Sequence, residues 1–172
     1  MKLLLSAALA LVLGHTAGTK LVSENSPAPE FSSTTIDRKV MRLSNLKGKI
    51  VLLDFGAVNC PPCRLEMPIL EGWHRKYGAR GLVVVGLMEM NPTTRQVRKF
   101  LKERGVTYPV AVDLKEAIGK RYGLLAHPTT VLIDRVGKVI KAETGFVRGD
   151  EKSMEAAFLP LLSAAPGTGR PR

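Results

Sequence analysis

Two short apolar runs constrain this chain more than anything else in it. Residues 50–55 and 82–88 are nearly all apolar, and Gly48 and Gly56 bound the first. Such a run is too short for a helix and lacks the alternation of a half-exposed strand, so each predicts a central strand covered on both faces. Between them, residues 62–77 carry Leu65, Ile69, Leu70 and Trp73 at helical spacing before Gly78 ends the pattern.

The flanking sequence completes a layered fold. Residues 31–35 and 40–43 flank Asp37-Arg38-Lys39 and predict a hairpin. Asn91-Pro92-Thr93 opens a helix through Val97, Phe100 and Leu101 to Gly105, whose Arg95, Arg98, Lys99, Lys102 and Arg104 read as a solvated basic face. Residues 108–112 predict a short strand, 114–122 a short helix, 129–133 and 139–142 a hairpin around Val136-Gly137, and a last helix follows Asp150. Strands alternate with helices and a hairpin closes the sheet. The class is therefore α/β, a three-layer sandwich with a mixed central β-sheet and an added N-terminal β-hairpin.

The 172 residues, 45% hydrophobic and 24% charged, have the size and balance of one domain, expected to be a monomer. The net charge of +11 would suit an anionic partner, but it also keeps a protein soluble. With no helix-turn-helix, zinc-finger or RNA-binding signature, no nucleic-acid partner is expected.

The amino terminus points to export. Lys2 precedes an apolar or small run over residues 3–13, followed by Gly14, His15, Thr16, Ala17 and Gly18, the order of a secretory signal. As a helix the run would reach about 16 Å, half of a hydrocarbon core about 30 Å thick. Residues 1–18 are thus expected to be a signal peptide, with an uncleaved anchor as the other reading, and the destination the periplasm or cell envelope. Residues 19–30 read as a linker, 31–162 as the domain and 163–172, rich in Pro, Gly and Ala, as a loose tail.

The only cysteines stand in Cys60-Pro61-Pro62-Cys63. A disulfide closing so small a loop restrains the unfolded chain by only about 2 kcal/mol, so it is a poor staple and reads instead as a bond made and broken. The pair lies at a strand-to-helix junction, where unpaired amides and the positive end of the helix dipole favour Cys60 as thiolate. Cys60 is the expected nucleophile and Cys63, one turn along, the resolving thiol. Pro62 suits the first turn, which needs no amide hydrogen there. No metal is expected, because zinc wants four ligands and His74 and His127 are not at finger spacing.

Pro27-Ala28-Pro29-Glu30-Phe31, Leu43-Ser44-Asn45-Leu46-Lys47-Gly48-Lys49, the 51–55 strand, Cys60-Pro61-Pro62-Cys63, Glu66-Met67-Pro68, Tyr108-Pro109, Pro128-Thr129-Thr130 and Ile133-Asp134-Arg135-Val136-Gly137-Lys138 follow one another in that order. The series resembles the TlpA/ResA-like family of thioredoxin-fold proteins over roughly residues 27–162. The resemblance implies a thioredoxin-like sandwich and an extracytoplasmic thiol–disulfide oxidoreductase with no cofactor beyond the Cys60–Cys63 disulfide. It further implies a reductase of envelope protein disulfides, kept reduced by a membrane electron donor and serving, for example, cytochrome c maturation.

Pro128 matches the family's cis-proline, which with Pro61, Pro62 and His127 would form the substrate-binding surface. Glu66 matches an acidic position near the buried thiol. Asp54 matches the buried carboxylate of thioredoxins, which would exchange a proton with Cys63. Gly56 and Asn59 stand where the family commonly has tryptophans. Met88-Glu89-Met90 with His127 opens a second reading, a copper-handling module or a reductant of copper chaperones, since thioether and imidazole suit copper. A peroxidase is a minor reading, because the Pro-x-x-x-Thr-x-x-Cys loop of peroxiredoxins is absent, and the paired cysteines disfavour a non-catalytic interaction domain.

Overall fold

The structure is a computed structural model describing residues 20–163. The signal segment and residues 164–172 of the expected tail lie outside the described residues.

Both apolar runs are strands. β3 (Ile50–Gly56) lies at the centre of a five-stranded sheet ordered β5-β4-β3-β6-β7, with β4 (Leu82–Met88) and β5 (Val110–Val112) parallel to it, β6 (Thr129–Ile133) antiparallel to β3 and β7 (Val139–Thr144) antiparallel to β6. The N-terminal hairpin, β1 (Ser32–Thr34) and β2 (Val40–Arg42), is a separate two-stranded sheet that touches the main one through a bridge between Thr35 and Ala111.

Side chains alternate across the sheet as the pleat requires. Ile50, Leu52, Val84, Met88 and Leu132 pack on one face against helices α1 (Pro61–Tyr77), α2 (Thr94–Lys102) and α4 (Glu151–Ser163). Val51, Leu53, Phe55, Val85, Leu87 and Val131 pack on the other, against the hairpin and helix α3 (Ala117–Tyr122). This is the expected three-layer sandwich.

The differences from expectation are local. Helix α1 starts one residue early, so both Pro61 and Pro62 occupy its first turn, where neither missing amide leaves a gap in the ladder. Leu65 is 48% exposed, and Met67, Leu70, Trp73 and Tyr77 supply the buried face. The strand expected at 108–112 begins at Val110, since Pro109 has no hydrogen to donate. The 114–122 helix breaks at Lys115 and Glu116, both at positive φ. The cause is Asp113, whose buried carboxylate accepts from the amides of Ile118 and Gly119 and so starts α3 at Ala117. Thr93 and Gln96 close a reciprocal cap at the start of α2. The helix ends at Lys102, short of the expected Gly105; on its basic face Arg98 pairs with Asp37, while Arg104 lies past its end and is largely covered, over the Phe100 ring.

Candidate active site

β3 ends at Gly56, and the chain turns through residues 57–59 into α1, so both cysteines fall at the carboxyl end of the central strand, where ligands and reactive groups collect in open α/β sheets. Cys60 is the N-cap of α1, with the Cys63 amide donating to its Sγ at 3.2 Å. The sulfurs are bonded at 2.01 Å, with Cα atoms 5.3 Å apart. Cys60 is 8% exposed and Cys63 1%, and both pack on Ala57. The more exposed cysteine is thus also the one at the helix N-terminus, the arrangement a nucleophile at Cys60 calls for.

Cys63 is flanked by buried acids. Asp54 and Gly56 share the α1 face of β3, and a side chain at Gly56 would stand 3.6 Å from Cys63 Sγ and 3.8 Å from Asp54 Oδ1. The absent side chain therefore leaves carboxyl and sulfur facing one small gap. Asp54 Oδ2 accepts a hydrogen bond from Tyr108 at 3.3 Å, while Oδ1 has no partner among the described residues. Burial pushes Asp54 up to about 7, against the opposing Tyr108 hydrogen bond and the positive charge of His127. Glu66, one turn beyond Cys63, is buried, and its Oε2 has no hydrogen-bond partner among the described residues. Burial, then the negative charge of Asp54, pushes it up to about 9.

A polar line crosses the sheet at this level. Asp54 is paired with Thr130 on β6, and Thr130 with Glu143 on β7. Glu66, Thr130, Glu143 and Asp150 line a cavity of about 10 Å³, roughly the space of one water. Glu143, ion-paired with Lys141 at 3.0 Å, is the partly exposed end of this line.

The third edge of the site is the entry to β6. The His127–Pro128 bond is cis, as the family resemblance implied; Pro128 is buried, and Pro61 is exposed beside a half-buried Pro62. His127 Nε2 lies 2.5 Å from Oε2 of Glu89, a residue only 3% exposed. The hydrogen bond to Glu89 holds the imidazolium above its ordinary range, against partial burial. Met88 is buried with its Cε toward Gly56, and Met90 is 61% exposed. Among the described residues no group of three or more His, Cys, Asp or Glu is placed to hold a metal ion.

Two participants escaped the sequence reading. Tyr108 entered only as part of a motif, yet Gly86 within an apolar strand is the kind of signal that marks a close approach, here by the Tyr108 ring. Glu89 entered only as the neighbour of two methionines, although a charged residue directly after an apolar strand calls for a partner.

The comparisons agree with this geometry. Residues 23–158 match the Redoxin family. The chain is 34% identical over 163 residues to the thiol-disulfide oxidoreductase ResA of Bacillus subtilis, covering 91% of this chain and 89% of that one. Its likeness to the ResA of Bacillus cereus is 34% over 145 residues, 83% of each. The crystal structure of a candidate thiol:disulfide interchange protein DsbE from Chlorobium tepidum superposes with a TM-score of 0.77 at 34% identity, covering 83% of this chain and 99% of the other. With a redox pair at a helix N-terminus, acids behind the inner sulfur and relatives of this extent, the chain belongs to the Redoxin family as a TlpA/ResA-like thioredoxin-fold thiol–disulfide oxidoreductase.

Proposed function

We propose that the protein is an extracytoplasmic reductase of protein disulfides. The observation that carries the direction is the pair of buried carboxyls, Asp54 and Glu66, around Cys63. The burial that keeps those carboxyls protonated disfavours an anion on Cys63 as well, so Cys63 stays a thiol in the reduced protein. A reduced state with little thiolate stabilisation at that sulfur belongs to a reducing couple.

In the forward half-reaction the Cys60 thiolate attacks a partner's disulfide, bonds to one sulfur and expels the other as thiolate. Cys63 then gives its proton to the carboxyl pair, attacks Cys60 Sγ and expels the second partner sulfur. Two electrons have passed to the partner, and the proton leaves through the carboxyls to solvent. Exposed Pro61, Leu125 and Met90 offer apolar surface for a protein substrate rather than a small peptide thiol.

Location outside the cytoplasm rests on the export pattern of residues 1–18, and no helix among the described residues is long and apolar enough to cross a membrane. A membrane electron donor restores the dithiol, the chain acts as a monomer, and apocytochrome c is one destination for its electrons. A redox titration of the Cys60–Cys63 couple tests the direction. The expected potential lies nearer the about −270 mV of thioredoxin than the about −120 mV of DsbA, with ready reduction of insulin. A potential near the DsbA value and oxidation of reduced peptides would make it an oxidase.

A further inference from the structure

Glu89 is a buried carboxylate at the mouth of a redox site, and the mechanism above gives it no task. Its place in the sheet is well defined. Gly56 is paired with Met88, and the Glu89 amide donates to the Gly56 carbonyl at 2.9 Å. Phe55 is paired with Thr129. Continuing both registers past the strand ends sets Glu89 and His127 on either side of Ala57. Two strand spacings, about 10 Å, separate such positions. The small side chain between them lets the long ones meet at 2.5 Å.

Ala57 is also the residue on which both cysteines pack, and its carbonyl accepts from the Cys60 amide at 3.2 Å. The Glu89–His127 pair therefore lies beside Ala57, on the α3 side of the sheet, and reaches the disulfide through that one small residue. Its two ends differ: the imidazole is 21% exposed and the carboxylate 4%. The cationic end thus lies toward the accessible surface, on the side of the sheet edge where α1 begins, and the anionic end toward the core. On the core side the Oε1 of Glu89 accepts no hydrogen bond among the described residues and lies where a side chain at Gly119 of α3 would stand, so His127 is its carboxylate's one polar partner there.

We propose that Glu89 is a positioning residue for thiol–disulfide exchange, holding His127 as a fixed cation at the edge of the site so that reduced Cys60 is kept as thiolate. The inference rests on the activity at Cys60 and adds a group that tunes it. The charges facing His127 are Glu89 at the end of β4, Asp54 on β3 and Glu116 ahead of α3, all carboxyls that favour the imidazolium. Cys60 has in addition the N-terminus of α1. The attacking step gains from a larger thiolate fraction at mildly acidic pH, with no change in the bonds made or broken.

The sign of one substitution decides between routes. A carboxylate acting on Cys60 directly would repel the thiolate, so Glu89→Gln would speed its reaction. Acting through His127, the same substitution lets the imidazole lose its proton and slows it. The test is the rate of Cys60 alkylation by iodoacetamide in the reduced full chain from pH 5 to 8, with the modified residue identified by mass spectrometry. Glu89→Gln should slow alkylation near pH 6.5 by about three- to tenfold, the low end of what an opposite charge nearby does to an ionisation. In a His127→Leu background, adding Glu89→Gln should change nothing further. Faster or unchanged alkylation in Glu89→Gln, or the same slowing without His127, overturns the proposal. Should the variant fold poorly, NMR titration of His127 in the unaltered chain serves instead: a midpoint at or below the ordinary value of about 6.5 overturns it equally. Failure of the unaltered protein to reduce insulin would strike the proposed reductase role and leave the alkylation profiles readable.

Discussion

Tyr108 reaches Asp54 over a glycine: its hydroxyl donates to Oδ2 at 3.3 Å, and its ring lies 3.2 Å from where Gly86 would carry a Cβ. Asp54 and Gly86 are paired neighbours on β3 and β4. The missing side chain on one strand thus admits the only hydrogen-bond donor found, among the described residues, for the acid on the other. That donor matters because burial otherwise favours the neutral carboxyl with only the charge of His127 against it.

Tyr108→Phe should therefore raise the Asp54 pKa above about 7, since it removes the hydrogen bond that lowers it. Gly86→Ala should do the same and also cost about 1–3 kcal/mol, because its Cβ would stand 2.9 Å from Val110 Cγ2 within a packed strand. Infrared titration of the Asp54 carboxyl and denaturant unfolding separate the two effects. A fall in the Asp54 pKa in either variant would show that Tyr108 does not stabilise the carboxylate.

Stability should decline as pH rises from the ordinary carboxyl range. Asp54 and Glu66 keep their protons in the fold up to about 7 and about 9, whereas the unfolded chain releases them near pH 4. The folded state then binds more protons, and each carboxyl caught between its two values costs about 1.4 kcal/mol per pH unit. His127, raised in the fold, adds stability that is likewise lost with rising pH, so the variants are needed to isolate the acids. Asp54→Asn should flatten the decline between about pH 4 and 7, and Glu66→Gln should flatten it further into the alkaline range. Urea unfolding of the oxidised proteins across pH 4 to 9 checks this, and stability rising over that range would contradict it.

Partners should be captured by one single-cysteine variant and not the other. Cys60 caps the helix N-terminus and is the more exposed cysteine, so Cys63→Ser leaves a nucleophile with nothing to resolve its adducts. Mixed disulfides through Cys60 should accumulate with partner proteins, and Cys60→Ser should yield few. Equal capture by both, compared on non-reducing gels, would reverse or abolish the assignment.

The central layers were legible because their signals are dense. β4 matches the 82–88 run end to end, and β6 matches the span expected for it. Cys60, Cys63 and Pro128 could be placed from a strand-to-helix junction and an ordered series of motifs. Local exceptions were harder to read, because a side chain from elsewhere decides each: Asp113 resets the start of α3, and Glu89 finds its partner 38 residues away. Spacing along a chain carries no information about a contact made over Ala57 or through the gap at Gly86. The glycines were visible in the sequence, but what fills the space they leave was not.

Gly119→Ala offers a prediction in which local and tertiary rules give opposite signs. In a helix interior alanine is favoured over glycine by about 1 kcal/mol, and α3 taken alone would gain from the change. In the fold, the new Cβ would stand 1.7 Å from Oε1 of Glu89 and 2.8 Å from its Cδ. At those distances something must move, and either the Glu89 side chain swings away or α3 shifts. Either movement weakens its bond to His127 and leaves a buried charge poorly partnered, at a cost of about 1–3 kcal/mol that outweighs the helix gain. The substituted protein should thus be less stable than the parent. Its Cys60 alkylation profile should shift in the same direction as that of Glu89→Gln, although Gly119 makes no hydrogen bond to His127 or to either cysteine. Urea unfolding and iodoacetamide rates on the same preparation check both parts. A more stable Gly119→Ala with an unaltered thiol profile would mean that Glu89 does not depend on α3 for its position.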